Sequence, residues 1–168
     1  MAEKFNKEIP FEEAMVEALR RKGWGVHPVL MYPTEAELIE NWRQILSKLN
    51  NGIDCLNNCP LTDGEMQQVL QQVRDLRSPL RLNSEFINGK SISIVRDNPD
   101  DTLHFGKTVN PIVYDKKKIG SNATVYQIAR QPRFTTNSQI LGERRGDFTL
   151  LINGMPLIHV ELKRSGCR

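Results

Sequence analysis

Apolar residues fall at helical spacing in the first half of the chain and at strand spacing in the second, with the change after Leu76. Pro10 at a helix start and Gly23 at its end frame an opening helix, with Phe11, Met15, Ala18 and Leu19 inward. Thr34-x-x-Glu37 is a capping-box signature ahead of Leu38, Ile39, Trp42, Ile45, Leu46 and Leu49. Thr62-x-x-Glu65 repeats it ahead of Met66, Val69, Leu70, Val73 and Leu76, and Ser78-Pro79 stops that helix. Ile92 to Val95, Ile112 to Tyr114 and Thr124 to Ile128 then read as strands, while Asp97 to Thr108 and Gln131 to Arg145 read as loops or insertions.

The most informative stretch runs from Gly146 to Lys163. Two apolar runs flank Asn153-Gly154, the strongest short turn signal, which predicts a β-hairpin. Side chains alternate along strands, so Phe148, Leu150 and Ile152 share one face of the first arm, and Ile158, Val160 and Leu162 one face of the second. With both apolar sets on the core, Asp147 shares the opposite face with Glu161 and Lys163 at the end away from the turn.

That convergence has a geometric condition. Asp147 faces the same way as Glu161 only if paired residue numbers sum to an even value, as for Leu150 opposite Ile158. A plain two-residue Asn153-Gly154 loop gives an odd sum, so an odd loop or a bulge is expected. Pro156, which cannot donate a ladder hydrogen bond, suits such an irregularity.

Two carboxylates and an ammonium at one strand end suit metal-dependent phosphodiester hydrolysis. Mg²⁺ prefers oxygen ligands and is commonly held by one or two carboxylates plus substrate phosphate. Asp147 and Glu161 supply such oxygens, with the Leu162 carbonyl between them, while Lys163 is placed to orient a water or neutralise developing charge. Taken alone, the Glu161-x-Lys163 triplet fits a solvated strand end better than a catalytic site.

The longer string is more specific. Asp147, then Leu151-Ile152-Asn153-Gly154-Met155-Pro156-Leu157, then Glu161-Leu162-Lys163 resembles the PD-(D/E)xK nuclease motif, and more narrowly its variant in the restriction (motor) subunit of type I restriction–modification enzymes. Met155 stands where that pattern usually has Leu, and Gly146 where many PD-(D/E)xK enzymes have Pro. Phe11-Glu12 followed by Leu19 and Gly23-Trp24 is similar to the family's first helix, whose glutamate often faces the metal site; carried over, that residue is Glu12. Glu12 is equally placed as a first-turn glutamate favoured by the helix dipole after Pro10. Trp42 to Leu49 with Asn50-Asn51-Gly52, and Val113 to Lys117, are similar less specifically.

Composition agrees. The 168 residues, 39% hydrophobic, can bury one globular core. The net charge of +3 is mildly basic, and Lys116-Lys117-Lys118, Arg130, Arg133, Arg144-Arg145 and Lys163-Arg164 fall in the half carrying the acids, as a phosphate backbone requires. Any one of these runs also suits a solvated face. Cys55, Cys59 and Cys167 contain no C-x-x-C pair and suggest neither a disulfide framework nor a zinc site. No signal peptide or run long enough to span a membrane is present, so the cytoplasm is the expected location. Gly89-Lys90-Ser91 resembles the tail of a Walker loop, but Ser84 replaces its first glycine, which rejects nucleotide binding there.

The expectation is an α/β fold, a mixed β-sheet flanked by helices with a restriction-endonuclease-like core, residues 1–168 forming a single nuclease domain. The resemblance implies Mg²⁺-dependent cleavage of double-stranded DNA with Asp147, Glu161, Lys163 and Glu12 catalytic and Asp147, Glu161 and Leu162 on the metal. It further implies a longer subunit whose ATP-driven motor domains and Gln-x-x-x-Tyr helix follow this fragment. Partner modification and specificity subunits are also implied, with cleavage of unmodified DNA after translocation. The alternatives are a non-catalytic DNA-binding or subunit-docking module that keeps the nuclease fold, and a junction-resolving or repair nuclease of the same superfamily.

Overall fold

A computed structural model describes residues 9–76, 92–113, 124–135 and 144–162. Lys163, the Ser78-Pro79 stop, Gly89-Lys90-Ser91, Tyr114, Lys116-Lys117-Lys118 and Cys167 lie outside these residues. The chain divides into two compact units: one takes the described residues through Leu38 and from Val125 onward, the other Ile39–Thr124.

The first unit holds helix α1 (Ile9–Arg21), strand β1 (Leu30–Met31) and the opening turn of helix α2 (Glu35–Leu49). α1 presents Glu12, Met15, Val16 and Leu19 at helical spacing to the sheet. Phe11 is 55% exposed and Ala18 is exposed, against the expectation that both face inward. The inward stripe instead begins at Glu12, because Arg130 and Gln131 receive its carboxylate. Gly23 has φ 89°, the left-handed conformation that commonly follows a helix. The capping box at α2 forms as read: the Thr34 N–H donates to Glu37 Oε2 at 2.7 Å and the Glu37 N–H to the Thr34 hydroxyl at 3.2 Å. The Thr34 amide and then its hydroxyl hold the Glu37 carboxyl below its ordinary range.

The second unit contains the rest of α2, helix α3 (Asp63–Asp75) and strands β2 (Ile94–Val95) and β3 (Thr108–Val109), paired antiparallel. Thr62 and Glu65 form the second expected capping box. Glu65 also reaches Arg96, which is buried between the Glu65 and Asp101 carboxylates at 2.5 and 3.0 Å. The amides of Gln68 and Gln72 on α3 exchange hydrogen bonds with the backbone of Val95 and Ser93, covering the edge of β2. β3 contains Thr108, the last residue of the stretch whose sequence reads as loop.

The principal sheet lies in the first unit. Its order is β1-β4-β7-β8, with β4 (Tyr126–Arg130), β7 (Phe148–Ile152) and β8 (Met155–Val160). β1 runs parallel to β4, and the other neighbours are antiparallel, giving a mixed sheet. Phe148, Leu150 and Ile128 pack with Val16 of α1, while Ala129 and Leu151 pack with Leu38 of α2 on the other face. Residues 131–145, read as loop, contribute a short ribbon of β5 (Arg133–Phe134) and β6 (Arg144–Arg145). β1, at two residues, carries no periodicity in the sequence.

Candidate active site

The β7–β8 hairpin closes through Asn153 and Gly154, whose φ values of 51° and 82° are the positive pair a type I′ turn needs. Asn153 is fixed from outside, its N–H donating to the Val125 carbonyl at 2.8 Å and its Oδ1 accepting from the Val125 N–H at 3.0 Å. Ile152 pairs with Met155 and Leu151 with Pro156, the odd register of a two-residue turn. The register then shifts: Leu150 pairs with Ile158, Thr149 with His159 and Phe148 with Val160. A bulge at Leu157 therefore restores the even sum that the sequence required, just past the turn rather than in it. Pro156 sits beside it on an edge strand, where no ladder donor is needed.

Continued one step, this register sets Asp147 opposite Glu161. Asp147 Oδ2 accepts the Leu162 N–H at 2.5 Å, so the two strand ends are tied at the acids. Asp147 is half-buried and Glu161 exposed. Phe148, Leu150, Val160 and Leu162 point to the α1 side of the sheet, as expected, while Ile158 is 45% exposed. Asp147 alternates with Phe148 and so lies toward the Thr149 and Leu151 face. That face is not simply solvated: Thr149 and Leu151 are buried.

Glu12 is 4% exposed and fully engaged. Arg130 Nε donates to its Oε2 at 2.6 Å, and Gln131 Nε2 lies 2.8 and 3.0 Å from its two oxygens. Gln131 has φ 51°, a strained conformation for a residue other than glycine. Its N–H donates to the Asp147 carbonyl at 2.8 Å, and its Oε1 accepts from Arg145 Nη2. Glu12 thus reaches Asp147 through one intervening residue.

Gly146 has a local reason to depart from proline. Its N–H donates to the Pro132 carbonyl at 3.0 Å, a bond proline cannot make. A Cβ there would come within 2.5 Å of His159 Cε1. His159 lies over the glycine, and its Nε2 stands 3.2 Å from Glu161 Oε1. Beside it opens a groove of about 540 Å³, lined by Phe134, Thr149, Pro156 and His159 among others. The buried Thr149 hydroxyl has no hydrogen-bond partner among the described residues.

His159 and Gln131 were missed in the sequence. His159 had a signal, since it lies two residues before Glu161 and alternation puts both on one face. Gln131 had none, because a left-handed residue at a strand end leaves no mark when it is not glycine.

Two carboxylates and a backbone carbonyl are hard oxygen donors, the set that suits Mg²⁺. Among the described residues, no group of three or more His, Cys, Asp or Glu is gathered to hold an ion. Asp147, Glu161 and the Leu162 carbonyl are the oxygens at this strand end that could hold such an ion, with water completing its shell.

A four-stranded mixed sheet with helices against it, and a hairpin ending in paired acids, agrees with a restriction-endonuclease-like fold. Residues 8–168 match the family model described as type I restriction enzyme R protein N terminus, and the chain belongs to that family. It is 30% identical over 166 residues to a type I restriction enzyme endonuclease subunit of Staphylococcus saprophyticus. Two such subunits from Staphylococcus aureus, strains MSSA476 and MW2, are 29% identical over the same length. Each alignment covers 96% of this chain and 15% of the relative, so the chain spans about one seventh of the length of these proteins. No helix among the described residues is long and apolar enough to cross a membrane.

Proposed function

We propose that the chain is a single Mg²⁺-dependent nuclease domain, residues 1–168, that hydrolyses phosphodiester bonds of double-stranded DNA. It would act in the cytoplasm within a type I restriction enzyme. The observation that carries this reading is the bulged register, with the Asp147 carboxylate bonded to the Leu162 N–H beside Glu161. Asp147, Glu161 and the Leu162 carbonyl would hold the metal. When bound, Mg²⁺ would polarise the scissile phosphate and lower the pKa of a coordinated water. Lys163 would orient that water or neutralise charge that develops on the phosphate in the transition state. Glu12 would act from behind, fixing Arg130 and Gln131 and through Gln131 the backbone of Asp147. Translocation by ATP-driven motor domains, and work with modification and specificity subunits, belong to the longer subunit in this reading.

Calorimetric titration of the chain with Mg²⁺, paired with plasmid nicking by the full subunit, tests it. Asp147→Ala and Glu161→Ala should each abolish nicking and lower Mg²⁺ affinity at least tenfold. Nicking that survives both substitutions would favour the docking-module alternative.

A further inference from the structure

The β5–β6 ribbon places Arg133 directly opposite Arg145. Like charges facing each other across an antiparallel pair are destabilising. Here the arrangement is also braced. Arg133 Nε donates to the Tyr32 carbonyl at 3.3 Å, and the Arg145 guanidinium carbon lies 5.7 Å from the centre of the Tyr32 ring. Tyr32 itself has φ 55°, a conformation costly for an aromatic residue. One strained tyrosine thus holds two guanidinium groups, and Tyr32, Arg133 and Arg145 are all exposed. The Glu37 carboxylate, close enough for Arg133 to act on it, accepts the Thr34 amide and hydroxyl on one oxygen, Oε2, and offsets only part of the charge at Arg133. Arg145 also donates to Gln131, whose N–H meets the Asp147 carbonyl, so the pair is connected to the acids by hydrogen bonds.

We propose that Arg133 and Arg145, braced by Tyr32, form a clamp for the phosphodiester backbone of duplex DNA. Guanidinium groups match phosphate oxygens in pairs and remain charged at any working pH. A polyanion lying across the ribbon relieves the repulsion that the folded chain otherwise bears. The contact is to backbone and carries no base sequence. The Glu12–Arg130 ion pair leaves Arg130 out of the clamp, because its Nε is committed 2.6 Å from a carboxylate. The proposal rests on the nuclease reading for the identity of its ligand, duplex DNA.

The test is fluorescence anisotropy of the chain on two unrelated short duplexes, from about 50 to 200 mM salt. Arg133→Gln and Arg145→Gln should each reduce the slope of log affinity against log salt by about one, on both duplexes alike. Affinity near 0.1 M salt should fall roughly eightfold, the effect of one counterion-releasing contact. Arg20→Gln, an exposed arginine of α1 already paired with Glu17, should change neither. Arg145→Lys should keep the slope and lose several-fold in affinity, since it keeps the charge without the fork. If a Gln variant fails to fold by circular dichroism, the Lys variants decide, and wild-type affinity in them overturns the clamp. Unchanged slopes in folded Gln variants, or no binding by the wild-type chain at low salt, overturn it too. Reduced slopes with Mg²⁺ affinity insensitive to Asp147→Ala would leave the clamp standing and sink the nuclease reading.

Discussion

Gln131 and Asp147 are joined main chain to main chain: the Gln131 N–H donates to the Asp147 carbonyl at 2.8 Å. The same residue grips the Glu12 carboxylate with its side-chain amide, at 2.8 and 3.0 Å. A helix acid is thereby coupled to the strand acid proposed as a metal ligand. Groups behind a ligand typically control metal affinity by one to two orders of magnitude.

Gln131→Ala should therefore lower Mg²⁺ affinity about tenfold while costing about 1.5 to 3 kcal/mol of stability, the value of a hydrogen bond to a charged group. Calorimetry and urea unfolding separate the two effects. Wild-type Mg²⁺ affinity in a protein destabilised by that amount would reduce Gln131 to a structural residue.

Gly146 and His159 make a second coupled pair, because the imidazole occupies the place of a side chain at 146. Gly146→Ala should cost about 1 to 3 kcal/mol through overpacking, at the low end because the half-exposed His159 can swing away. In the Gly146→Ala, His159→Ala double variant most of that cost should vanish. A double-mutant cycle in urea measures it. Strictly additive effects would show that the two residues do not interact in solution.

Much of this was legible in the chain, and the limits have physical causes. Both capping boxes, the hairpin and the need for a register shift follow from local chemistry: side-chain oxygens at fixed offsets, an Asn-Gly turn and the parity of pairing. The bulge could be required but not located, since parity does not say where the extra residue sits. β1, β5 and β6 are two residues each and take their identity from partners distant in sequence, which no local pattern encodes. Phe11 was placed inward on hydrophobicity, whereas the buried position went to Glu12 because a specific cation awaited it. Paired charges defeat rules based on polarity alone.

The second unit offers a prediction about acid stability. Burial pushes the Asp101 carboxyl up, but hydrogen bonds from Arg96, Asn57 and His104 together outweigh it and hold the group below 3.8, the ordinary aspartate value. A depressed folded value contributes stability that is present above the unfolded value and is lost as pH falls through the folded one. Asp101→Asn should thus be less stable than wild type at neutral pH, and the gap should narrow below 3.8. Arg96→Ala leaves Glu65 and Asp101 buried without their cation and should cost about 3 to 5 kcal/mol. Urea unfolding across pH checks both, and a gap that widens in acid would contradict the assignment.

The last prediction separates the acids from the lysine. Asp147 and Glu161 are proposed to bind the metal, so alanine at either should remove Mg²⁺ binding and cleavage together. Lys163 stands two residues beyond Glu161 and carries a charge of the same sign as the ion. Removing a nearby like charge favours cation binding or leaves it unchanged, by Coulomb's law. Lys163→Ala should therefore lose cleavage while its Mg²⁺ affinity is equal to wild type or higher. Substrate binding should change little, because a group that acts on the transition state lowers the turnover rate rather than ground-state affinity. Single-turnover cleavage by the full subunit and calorimetry on the chain give the two readings independently. Should Lys163→Ala weaken Mg²⁺ binding as much as Asp147→Ala, the lysine would have to support the metal site itself, and its assignment to the water and the phosphate would fall.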